Sequence, residues 1–172
     1  MNKIPYQIYL ILTLTFCISN TSPPKKFEFN QSTIQTFYFI KEVEIDGLKL
    51  SEKDWIASFN GDVCTGTRQW AGPFTDVPAM GDDGSKYTKG YHIPGSKPIF
   101  KIYDYSTDRL FLANPDTNIL FGNSPAQIIN INKLSVTKDC LGILGGSAKV
   151  DSCNVCNGNS SSCDKINSQN QY

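Results

Sequence analysis

No stretch of this chain sustains an apolar repeat of 3.6 residues, whereas apolar and polar residues alternate in several places, and this combination confines the fold to strands. Residues 32–50, STIQTFYFIKEVEIDGLKL, are rich in β-branched and aromatic side chains, and Val43 and Ile45 alternate with Glu42, Glu44 and Asp46. Asp46-Gly47 is a tight-turn dipeptide, so the chain bends there before Leu48 and Leu50. Residues 55–59 read as a strand ending at Asn60-Gly61, a strong hairpin signal, and residues 63–70 return from it. A second hairpin joins residues 99–105 to 110–113 through a polar turn, and residues 126–131 offer a last strand. About six to eight strands with so little helix predict an all-β fold, a β-sandwich or jelly-roll-like domain. No internal repeat is read.

At 172 residues there is room for one domain of ~100 to 150 residues and a small appendage. The composition changes near Lys138, after which no aromatic occurs until Tyr172. We therefore divide the chain into a signal peptide over 1–19, a β-domain over 27–137, a cysteine-rich module over 138–164 and a disordered tail over 165–172. The signal peptide rests on Lys3 and the uncharged run IYLILTLTFCI over 8–18, which is short of the roughly 20 residues of a membrane-spanning helix. A secreted, extracellular chain without a stable membrane anchor is expected. Sixteen Lys plus Arg balance sixteen Asp plus Glu, so the field that draws a protein to nucleic acid is missing. One histidine, His92, excludes catalytic and zinc sites that need two imidazoles, and His92 itself reads as a loop residue without a chemical task.

Secretion decides how the cysteines read, because thiols in an oxidising compartment pair. Cys140, Cys153, Cys156 and Cys163 crowd together as C-x12-C-x2-C-x6-C, and Cys64 stands alone on a strand as a small buried hydrophobe. Disulfides are favoured for the four over a zinc site, with all three connectivities open. So short a module cannot bury its own core, so the bridges supply its stability.

Residues 71–98, AGPFTDVPAMGDDGSKYTKGYHIPGSKP, form a long connection without periodicity, and such connections are commonly functional. Asp76, Asp82 and Asp83, with Gly81 and Gly84 turning main-chain carbonyls, suit calcium; the alternative is a solvated β-turn at 82–85. Trp70 and Tyr87, with Arg68 nearby, suit a sugar whose CH faces stack on rings while its hydroxyls meet polar partners. Trp55 and Phe59 read as core. In a eukaryotic host, Asn20, Asn30 and Asn159 head N-glycosylation acceptors, which would make the chain a glycoprotein.

The tail, with Asp151, Cys153, Val155, Cys156, Gly158, Ser161, Ser162 and Cys163 in place, resembles the D-x-C-G-V-C-G-G-D-N-S-S-C segment of papilin and of secreted metalloproteases with thrombospondin motifs. Asn154 and Asn157 stand where that segment has glycine. With Asp139-Cys140, Gly142 and 145–148 in front, it also resembles the D-C-x-G-x-x-G-G-x-A linker repeat of secreted proteins in marine bacteria and protists. The match covers about 25 residues and holds no protease zinc motif, so it implies no protease activity. Segments between Phe29 and Tyr105, among them Phe59-Asn60-Gly61-Asp62-Val63-Cys64 and Asp76-Val77-Pro78-Ala79-Met80-Gly81-Asp82-Asp83-Gly84-Ser85, are similar to a β-domain that precedes such linkers. That resemblance implies a secreted setting and no known activity. The expectation is an extracellular binding or adhesion module for a glycan or protein, carbohydrate-binding and calcium-stabilised; the alternatives are a carboxylate-based glycosidase and a structural coat or matrix component.

Overall fold

The computed structural model describes residues 22–122, 125–161 and 163. The signal peptide expected over 1–19, the tail expected over 165–172 and the acceptor at Asn20 lie outside them. The described chain is nearly all β, as the alternation predicts. Its strands are β1 (Gln35–Ile45), β2 (Leu48–Lys49), β3 (Trp55–Asn60), β4 (Val63–Gln69), β5 (Thr75–Met80), β6 (Ile99–Asp104), β7 (Arg109–Pro115) and β8 (Ala126–Val136). Among the described residues a 3-10 turn, Lys25–Phe27, precedes them.

The strands form one curled sheet in the order β2-β1-β8-β7-β6-β3-β4, and β5 pairs with the first half of β1 on the same edge as β2, opposite β8. The hairpins fall where the turn dipeptides put them: Asp46 and Gly47, both at positive φ, separate β1 from β2, and Gly61 at φ 59° lies between β3 and β4. β1 and β8 run parallel from Gln35↔Ala126 to Ile45↔Val136. The curl turns at β7, whose first part pairs with β6 while Asn114 and Pro115 pair with β8. Alternate residues of β1, Thr36, Tyr38 and Ile40, point inward to meet Ile56, Val77, Phe100, Ile102, Ile131 and Leu134.

The sheet bends round until β4 lies beside β5, and this seam closes through side chains instead of a ladder. Arg68 donates from Nε to the Asp76 carbonyl oxygen at 2.9 Å and from Nη2 to Asp76 Oδ2 at 2.6 Å. Ser58 Oγ, bonded to Thr65 Oγ1, donates to the Pro78 carbonyl oxygen at 2.7 Å. The close approach requires Gly66, because a Cβ there would overlap that same carbonyl.

β5 corrects the reading of 71–98 as one connection. Pro78 argues against a strand in sequence because it lacks an N–H. In a strand, however, the N–H and C=O of one residue point to the same side, and the Pro78 carbonyl points to the seam. Its missing donor therefore costs the β1–β5 ladder nothing.

The tail corrects a second reading, since it is built as a repeat. Asp139 N donates to Ile143 O, and Asp151 N to Val155 O. Asp139 Oδ1 accepts Leu141 N and Ile143 N, and Oδ2 accepts Ala148 N. Twelve residues on, Asp151 Oδ1 accepts Cys153 N and Val155 N, and Oδ2 accepts Ser160 N. Gly142 and Gly145, at φ 78° and 68°, correspond to Asn154 and Asn157 at 65° and 55°. Asparagine tolerates the left-handed region, which is how the second loop manages without those glycines. Gly146 and Gly158 stand against the two carboxylates, where a Cβ would collide. Cys140–Cys156 staples one loop to the other, and Cys153–Cys163 closes the second. The first loop rests on the β-domain: Leu144 packs on the core, a Cβ at Gly145 would press on Phe111, and Lys138 Nζ pairs with Asp46 Oδ2 at 2.8 Å.

Candidate functional site

The expected site residues divide between two ends of β4. Trp70, just beyond its C-terminal end, is buried in the main core, and Arg68 is committed to Asp76. Tyr87 stands beside Val63, the first residue of β4, with 62% of its surface exposed. The structure thus brings Arg68 and Asp76 together but keeps Tyr87 apart from both Trp70 and Arg68.

Around Tyr87 lies a cleft of about 580 Å³. Its wall is anchored by Phe27, the fully buried last residue of the 3-10 turn, packed edge-on against Phe59 and Tyr103 at 5.8 and 6.5 Å. That anchor leaves the neighbouring Lys26 and Glu28 exposed at the cleft. Asn30 ties the wall to the opposite loop, donating from its backbone N to Tyr91 Oη at 2.7 Å and from Nδ2 to the Tyr87 carbonyl at 3.2 Å. Asn60 Nδ2, at the β3–β4 turn, donates to the carbonyls of Gly90 and Tyr91. Cys64, a free thiol, is 7% exposed at the floor, and burial pushes its pKa up to about 11. It therefore stays a thiol at neutral pH, as the strand reading expects.

The loop bearing Tyr87 is held by Asp83. Its Oδ1 accepts Thr88 Oγ1 at 2.7 Å and Ser85 N at 3.1 Å; its Oδ2 accepts Thr33 N and Thr33 Oγ1. The Thr88 hydroxyl, then the Thr33 and Ser85 amides, hold the Asp83 carboxyl well below the usual carboxylate range. Asp82 Oδ1 accepts Gly84 N in an Asx turn. Asp76 lies away on β5 with Arg68. Among the described residues no three His, Cys, Asp or Glu side chains group to hold a metal ion.

Where this loop rejoins the sheet, His92 is 1% exposed and bridges to Gly81. Its ring stacks on Phe121 at 5.0 Å, Nδ1 lies 2.9 Å from Ser96 Oγ, and Nε2 has no partner among the described residues. Burial lowers its pKa to about 4, so it is neutral at pH 7. Sequence reasoning found Tyr87 by its aromatic face but missed Lys26, Asn30 and Lys89, which reach the same cleft from distant parts of the chain.

No family model matches the chain, and neither curated proteins nor solved structures yield a match. The two disulfides fit an oxidising, extracellular environment. No helix among the described residues is long and apolar enough to cross a membrane.

Proposed function

We propose that the protein is a secreted extracellular binding module that takes a glycan in the cleft at Tyr87. The observation that carries this reading is the Tyr87 ring itself, largely exposed on a loop fixed by Asp83, Asn30 and Asn60, beside a cleft of ligand size lined mainly by polar groups. An exposed ring gives a sugar a stacking face, and fixing the loop beforehand reduces the ordering cost of binding. Hydrolysis fits less well, because glycosidases need two facing carboxylates, and among the described residues Glu28 is the one carboxylate lining this cleft.

The test is binding to a panel of immobilised oligosaccharides. The protein should be made oxidised in a host that does not attach N-glycans, since Asn30 heads an acceptor within the cleft. Retention on at least one glycan class is expected. Binding to none would remove the proposal, and breakdown of a retained glycan would replace it with an enzyme.

A further inference from the structure

Charge in this cleft departs from the rest of the molecule. The chain is neutral overall, and the ion pairs among the described residues, Arg68–Asp76, Lys133–Glu44 and Lys138–Asp46, lie elsewhere. Lys26 and Lys89 line the cleft, and neither amine has an ion pair or hydrogen bond among the described residues. Glu28 cancels one of the two charges, and Lys86 adds another, its Nζ lying over one face of the Tyr87 ring 5.0 Å from its centre, so the sugar would take the opposite face. Unpaired lysines beside an exposed aromatic ring put attraction for an anion next to a stacking face.

We propose, building on the glycan reading, that the cleft selects an acidic saccharide. A sugar ring lies on Tyr87, and its carboxylate or sulfate is held by Lys26 and Lys89, while Asn30 and Glu28 meet hydroxyls. Lysine suits such a group as a compact charge with three rotatable donors, and needs no fixed planar geometry from the anion. Attraction between partly exposed charges weakens with salt, so binding should fall as ionic strength rises.

The experiment titrates three oligosaccharides of equal length into the oxidised protein: a neutral galacto-oligosaccharide, its sulfated form and an oligogalacturonate. At low salt at least one acidic form should bind about tenfold or more tightly than the neutral form, and which one does so separates sulfate from carboxylate. Lys26→Gln and Lys89→Gln, both at exposed positions, should each cost up to about tenfold on that ligand, whereas Lys41→Gln, on β1 outside the cleft, should cost nothing. Equal affinity for neutral and acidic forms would overturn acid selection while leaving the glycan reading intact. An acidic ligand that loses as much affinity with Lys41→Gln as with Lys89→Gln would place its binding outside the cleft and overturn the assignment. Failure of all three sugars, together with an empty glycan panel, would overturn both proposals.

Discussion

Arg68 on β4 and Asp76 on β5 join two strands that share no ladder, through one bond to a carboxylate oxygen at 2.6 Å and one to a carbonyl at 2.9 Å. Both side chains are roughly two-fifths exposed, so the ion pair contributes no more than about 1 kcal/mol. Close packing at Gly66 carries more of the seam. Gly66→Ala should destabilise the fold by about 1–3 kcal/mol, because its methyl has to displace the Pro78 carbonyl. Arg68→Ala should cost less than Gly66→Ala in the same chemical denaturation series. The reverse order would mean that the ion pair, and not the close approach, holds the seam.

The two tail loops should respond alike to the same change. Asp139→Asn and Asp151→Asn each replace one acceptor oxygen with an amide that faces an N–H. Hydrogen exchange should quicken at Leu141, Ile143 and Ala148 in the first variant, and at Cys153, Val155 and Ser160 in the second. Unchanged exchange in either variant would show that its carboxylate does not organise the loop. The Ile143 and Val155 amides hold the respective carboxyls below their ordinary value. A depressed acid stabilises above its unfolded pKa, so this support is lost as pH falls below about 4.

Peptide mapping without reduction should recover Cys140 joined to Cys156 and Cys153 joined to Cys163, with Cys64 free. The first bridge closes a loop with a sequence separation of 16, which in the chain-entropy model stabilises by about 3 kcal/mol. Any other pairing would contradict the stapling of one loop to the next.

Burial of His92 gives a separate pH window. Its folded pKa, about 4, lies below its ordinary 6.5, so above pH 6.5 the ring is neutral in both states and contributes no pH dependence. Between 6.5 and 4 the unfolded chain binds the extra proton, so stability falls as pH falls, by about 3 kcal/mol in all. Denaturation midpoints across that range should show the decline, and His92→Gln should flatten it. An unchanged slope in the variant would assign the decline to other groups.

Much of the fold was legible because its signals are local. Asn60-Gly61 and Asp46-Gly47 announce their turns, and the alternation at Val43 and Ile45 announces β1. β5 was hidden because Pro78 counts against a strand until one knows which way its carbonyl points. The tail repeat was hidden because its loops share only Asp and one Gly in register, while Gly142 and Gly145 are answered by Asn154 and Asn157. Positive φ is the common requirement, and two residue types meet it. The cleft was legible at Tyr87 alone; Lys26, Asn30 and Lys89 meet there through long-range packing of Phe27 and the Asn30–Tyr91 hydrogen bond, which no local pattern encodes.

The most direct measurement is calorimetric titration of the tightest-binding oligosaccharide into the protein and into Tyr87→Ala. Tyr87 is largely exposed, so the variant should melt with the parent protein. The account predicts that affinity falls by about tenfold or more while the melting temperature stays put. Equal affinity in the two proteins would contradict it, because the glycan would then be held somewhere other than the Tyr87 cleft.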